Sequence, residues 1–134
     1  MNVKDIEREV ETAMNDGLSC SEAMLQVFNS EYRLGLDKNA LKMATGFKGG
    51  VGDRQNICGA LTGAVMVIGA MKGRVSPDEN REAAIALTGE VFDRFQERFG
   101  DVRCAEILRD KDLSCPGKVV PECARILAEA IQNA

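Results

Sequence analysis

Apolar residues recur along this chain at the three- and four-residue spacing of amphipathic helices, with no strand-like alternation beside them. Val3, Ile6, Val10, Ala13 and Met14 predict a first helix, stopped at Gly17. Ser19 and Glu22 form a capping box that opens a second helix, with Cys20, Met24, Val27 and Phe28 on one face and Gly35 as its end. Asp37 caps a short third helix through Leu41 and Met43. Gly46, Gly49, Gly50 and Gly52, followed by Asp53-Arg54-Gln55-Asn56, then read as a loop or tight turn, since helices tolerate glycine poorly.

The run from Ile57 to Ala70 predicts a helix that is apolar all round and therefore buried on every side. Its small residues Gly59, Ala60, Gly63 and Ala64, at i, i+4 spacing, invite close approach of neighbouring backbones. Ser76-Pro77-Asp78-Glu79 reads as a second capping box, with proline at the first helical position. The helix expected from it carries Ala84, Leu87, Val91, Phe92, Phe95 and Phe99 and stops at Gly100. Asp101 is the expected cap of a short helix holding Cys104, Ile107 and Leu108. Residues 110–116 read as loop, and a last helix buries Val119, Val120, Cys123, Ile126, Leu127 and Ile131. The expected fold is an all-α, single-domain bundle over residues 1–134, with about five to seven helices around a Gly/Ala-rich central one.

Size and charge narrow the function. A chain of 134 residues is most simply one domain, and it can bury a core without disulfide staples. No tryptophan, one tyrosine and five phenylalanines leave that core aliphatic. A net charge of −4 and no basic run exclude nucleic acid as a partner, which needs a basic footprint. The first residues are charged, and the longest apolar stretch, about fifteen residues, falls short of the ~20 of a membrane span. No membrane association and a cytoplasmic location are the expectations. In that compartment cysteines more often bind metals, act in catalysis or are simply buried than form stable disulfides.

The chain holds five cysteines and no histidine. Without imidazole there is no Ser-His or Cys-His pair and no histidine ligand. Phosphate-loop and dinucleotide patterns are absent, and the carboxylates, such as Glu7, Glu9 and Glu11, lie on solvated faces. Attention falls on the thiols. Cys20 stands at a helix start, where backbone N–H groups and the dipole favour a thiolate. Cys58 follows the glycine turn, with Gly59 and Gly63 leaving space beside it. Cys104 sits near a helix start beside Arg103, and Cys115 precedes a Pro-Gly turn. Cys123 lies mid-helix on an apolar stripe and reads as inert. No C-x-x-C occurs, so a four-thiol site would have to be assembled from distant segments.

Together, Cys20 opening a helix, Gly49-Gly50-Val51-Gly52 leading into Cys58-Gly59-Ala60-Leu61-Thr62-Gly63, Phe99-Gly100 before Cys104, and Cys115-Pro116 before a last helix resemble the C_GCAxxG_C_C family. That family is described as a candidate redox family, and a related domain occurs in split-Soret cytochromes. The resemblance spans roughly residues 15 to 130. It departs from the family name in one respect: Cys58 precedes Gly59 here. Carried over by position, the family cysteines are Cys20, Cys58, Cys104 and Cys115, with Cys123 an extra.

The resemblance implies a helical fold and cysteine-based redox work, with an iron–sulfur cluster as one form of it. Three readings follow. In the first, Cys20, Cys58, Cys104 and Cys115 ligate an iron–sulfur centre for electron transfer, with Gly50, Gly52, Gly59 and Gly63 around it; zinc at the same thiolates is the non-redox variant. In the second, no metal is bound, and Cys20 and Cys58 cycle between dithiol and disulfide. In the third, the protein is a helical scaffold with inert buried cysteines. The redox partner is unidentified, and the small-residue face serves equally for internal packing or for a homodimer seam.

Overall fold

The computed structural model describes residues 2–109 and 118–134. Within them lie seven α-helices: α1 (Val3–Asn15), α2 (Cys20–Glu31), α3 (Lys38–Leu41), α4 (Gly59–Lys72), α5 (Glu82–Phe99), α6 (Cys104–Ile107) and α7 (Val119–Asn133). A 3-10 segment, Lys42–Phe47, continues α3. The all-α expectation holds: among the described residues the only strand-like pairing is an isolated antiparallel bridge between Ile57 and Arg103. No described helix is long and apolar enough to cross a membrane.

The apolar stripes explain the packing. Ile6 and Val10 of α1, Met24 and Phe28 of α2, Val91 and Phe95 of α5 and Leu127 of α7 join one continuous core. The centre of that core is α4, which packs against α2, α5 and α7, while α1 lies across α7 and α2. Two glycines govern the tightest contact. A Cβ at Gly63 would stand 2.7 Å from the Cβ of Met24 and 3.1 Å from the carbonyl oxygen of Ser21. One at Gly59 would stand 3.2 Å from the Cβ of Cys20. Here α2 and α4 meet nearly backbone to backbone, as the small-residue spacing predicted.

Four expectations are corrected. First, α4 is not buried all round: Val65 is 37% exposed and Gly69 and Ala70 face solvent, because neighbours cover only part of its circumference. Second, the Ser76–Glu79 box opens no helix. Those residues form a turn, and α5 starts at Glu82, whose N–H donates to the side chain of Asn80 (2.7 Å). A helix there would have no apolar face to bury; Val75, its nearest apolar neighbour, is 99% exposed. Third, α2 ends at Glu31, ahead of Gly35. The backbone leaves the helix at Arg33, whose φ is +52°, and Asn29 holds the reversed chain by accepting from Leu36 N–H (2.9 Å). Fourth, Arg103 rather than Asp101 stands at the N-cap of α6. The expected loop at 110–116 lies outside the described residues.

The glycine-rich segment forms a left-handed turn. Gly49, Gly50, Val51, Gly52 and Asp53 have φ of +63°, +76°, +69°, +56° and +61°. Glycine adopts this region readily, whereas a β-branched residue such as Val51 is strained there. Backbone bonds hold the turn: Asp53 N–H donates to Lys48 O (3.0 Å), Gln55 N–H to Gly49 O (2.9 Å) and Asn56 N–H to Gly50 O (2.9 Å).

Candidate functional site

Three of the singled-out cysteines share one end of the bundle, each at the start of a helix. Cys20 is the first residue of α2 and half-buried. The expected capping interaction is present: Glu22 Oε1 accepts from both the N–H (3.0 Å) and the hydroxyl (2.7 Å) of Ser19. Next in the chain, Ser21 is fully buried and donates its hydroxyl to Ala44 O (2.8 Å), which ties α2 to the 3-10 segment. Cys58 is the N-cap of α4 and fully buried; the helix begins after it, at Gly59, and not at Ile57 as expected. Because Gly59 has no side chain, the start of α4 rests directly on Cys20 and Ser21.

Backbone pairing brings in the third thiol. Cys58 N–H donates to Val102 O (2.8 Å), Cys104 N–H to Asn56 O (2.7 Å) and Ala105 N–H to Gln55 O (3.1 Å). These bonds flank the Ile57–Arg103 bridge and clamp the segment before α4 to the segment before α6. Asp101 stiffens the clamp by accepting from Arg103 N–H (2.8 Å) and from its guanidinium (3.0 and 3.2 Å). These hydrogen bonds hold the Asp101 carboxyl down to about 2. Cys104, at the first position of α6, is 6% exposed.

Cys20 and Cys104 line one cavity of about 360 Å³, with Met14, Leu18 and Leu108 as its apolar wall and Lys48, Gly49 and Asp53 from the left-handed turn as its polar one. Lys48 Nζ donates to Asp53 Oδ1 at 2.9 Å. That bond and the Asp53 charge raise the Lys48 pKa, and the charge of Cys20 adds to the effect, so the ammonium and the sulfur are electrostatic neighbours. Neither Lys48 nor Asp53 was singled out from the sequence. The signal available was their position on either side of the glycine run.

The remaining candidates fall as follows. Gly59 and Gly63 lie at the α2–α4 contact. Gly50 and Gly52 shape the left-handed turn, and the N–H of Gly52 donates to Gly46 O (2.9 Å) within it. The N–H groups of residues 51–56 all donate to carbonyls of the same segment. Cys115 lies outside the described residues. Cys123 is wholly buried in α7, where burial pushes its thiol up to about 12, in line with an inert core residue. Among the described residues no group of three or more cysteine or carboxylate side chains is arranged to hold a metal ion. The described thiols therefore do not by themselves make up the ligand set of a cluster.

A protein-family model described as "Putative redox-active protein (C_GCAxxG_C_C)" matches residues 18–134. No curated protein and no solved structure matches the chain.

Proposed function

The chain belongs to the C_GCAxxG_C_C family, and from that premise we propose a redox-active protein that exchanges electrons through the thiols gathered where α2, α4 and α6 begin. The observation that carries the proposal is the shared cavity of Cys20 and Cys104, with the Lys48 ammonium beside Cys20. A thiolate at a helix start and near a cation is the form in which cysteine acts as a nucleophile. Cys20, the more exposed of the three, is the attacking thiol. Cys104, on the same cavity, replaces the fully buried Cys58 as its resolving partner.

The step balances with a disulfide as oxidant. The Cys20 thiolate attacks one sulfur of a substrate disulfide, forms a mixed disulfide and releases the other half as a thiolate. Cys104 then attacks Cys20 Sγ and releases the second half. Two electrons have passed to the substrate, and the protein carries a Cys20–Cys104 disulfide. A reducing cytoplasm suits such a carrier.

The second reading is electron transfer through an iron–sulfur centre, and the convergence of three thiols at one end of the bundle favours it. Cys20, Cys58 and Cys104 would have to draw closer than the described thiols stand, with Cys115 completing an all-thiolate set. Such a centre supplies one-electron chemistry when bound. Zinc at these thiolates would make the site structural.

One preparation separates these readings: protein purified without oxygen, assayed for iron, zinc and acid-labile sulfide, and titrated for thiols before and after reduction. The dithiol carrier is metal-free, gains two thiols on reduction after exposure to a disulfide, and loses that gain in both Cys20→Ser and Cys104→Ser. Matching iron and sulfide with broad absorption at roughly 400 nm would replace it with the cluster reading. No metal and no reactive thiol would leave the inert scaffold.

A further inference from the structure

The cavity beside Cys20 has walls of unlike chemistry. Met14, Leu18 and Leu108 form an apolar side large enough for a short sulfur-bearing chain, and the facing turn presents Lys48. An ammonium has three donors, and Lys48 commits one to Asp53 Oδ1. The Asp53 carboxylate itself lies against the backbone of Gly49, in space that a side chain at 49 would occupy. It is thereby held to its own turn and keeps Lys48 at the cavity wall. Ser19 lines the cavity too, but its N–H and hydroxyl both donate to Glu22. Gln55 adds an uncharged amide, so the cation among the described lining residues is Lys48, with two donors to give.

We infer that this cavity takes small carboxylate-bearing disulfides and thiols, with Lys48 as the specificity-determining residue that reads their charge. The inference rests on Cys20 being the working thiol. In the step it describes, the carboxylate pairs with Lys48 while the Cys20 thiolate attacks the nearer sulfur. The substrate S–S bond breaks, a mixed disulfide forms on Cys20, and the departing thiolate takes a proton from water. Asp53 opposes the same selection, because its charge partly cancels that of Lys48. Neutralising either member of the pair should therefore shift selectivity in opposite directions.

The test uses the reduced full-length protein and two disulfides of similar size: dithiodiglycolate, which is anionic, and hydroxyethyl disulfide, which is neutral. Mass spectrometry follows mixed-disulfide formation at Cys20 with each, at one pH. Both reagents consume the same thiolate, so the anionic-to-neutral rate ratio does not depend on how ionised Cys20 is. Comparing that ratio between variants also cancels the difference in leaving groups. Lys48→Met should lower the ratio about fivefold, the Boltzmann factor of one contact charge pair in water-like surroundings. Lys48→Arg should keep it, and Asp53→Asn should raise it. Because the Lys48 side chain is 63% exposed, the methionine variant folds as the parent does.

An unchanged ratio in Lys48→Met, with Cys20 still reactive, overturns the inference and leaves the redox reading standing. A Cys20 that reacts with neither disulfide also overturns it. Iron and sulfide analysis of the same sample then separates the causes: a bound cluster keeps the family's redox role by the second reading, and a metal-free sample removes both.

Discussion

Adding one methyl group to a glycine should change the stability of this protein in opposite directions at two helical positions. A Cβ at Gly63 would lie 2.7 Å from Met24 Cβ and 3.2 Å from Ser21 Cα, against ordinary carbon contacts of about 3.5–4.0 Å. Two of its three nearest neighbours are backbone atoms of Ser21, which cannot swing away as a side-chain tip would. The alanine variant must open the α2–α4 contact by roughly an ångström, at an overpacking cost of about 1–3 kcal/mol. Helix propensity returns about 1 kcal/mol of that, so Gly63→Ala should lose up to about 2 kcal/mol net. Gly89, inside α5, has no atom within 4 Å of the same added methyl. There the propensity gain stands alone, and Gly89→Ala should be about 0.5–1 kcal/mol more stable than the parent. In thermal melts of a domain this size each kcal/mol moves Tm by about 3–5 °C, so the two variants should separate clearly. A Gly63→Ala melting point raised as much as that of Gly89→Ala would refute the backbone-to-backbone contact. Cys20 would then no longer be set against the start of α4.

Three further outcomes are expected. Ser21→Ala strips the buried Ala44 carbonyl of the hydroxyl that bonds it, and urea denaturation should show a loss of about 1–2 kcal/mol; a loss of about 0.5 kcal/mol or less, typical of surface changes, would contradict that geometry. Val51→Gly should raise the melting point, because relieving a left-handed β-branched residue is worth about 1 kcal/mol and the valine, 44% exposed, gives up only partial burial; a lower melting point would mean the turn is not left-handed at 51. Cys123 carries a pH signature. Its thiol ionises near 9.0 when unfolded and at about 12 when folded, so the folded state holds the proton more tightly. That share of stability is complete below pH 9 and declines as pH rises from there towards 12, by at most about 1.4 kcal/mol per pH unit. Cys123→Ala lacks the decline, and its stability should gain on the parent's between pH 9 and 11; a constant difference would place the thiol in water.

What could be read from the sequence divides by the range of the interaction that decides it. The stripes of α1, α2, α5 and α7 were legible because each helix buries one face, and residues such as Val10, Phe28, Phe95 and Leu127 mark it at fixed spacing. A close backbone approach at Gly59 and Gly63 was legible from their spacing, but that α2 makes it was not, since a homodimer seam would use the same small residues. Local cap motifs misled where nothing apolar stood behind them: Ser76 and Glu79 match a capping box, but a helix there would gain no burial. The meeting of Cys58 with Cys104 was not legible at all. It depends on backbone donors and acceptors of residues 55–58 and 102–105, which any side chains would offer, and only the packed fold brings them together. Lys48 escaped notice likewise, because its charge matters only once the left-handed turn has set it opposite Cys20. The two kinds of information meet at Gly59. The missing side chain that the sequence shows as a packing device is what lets the start of α4 rest on Cys20 and Ser21. Packing and site therefore share one constraint, and a substitution that separates α2 from α4 should alter the chemistry of Cys20 before it unfolds the chain.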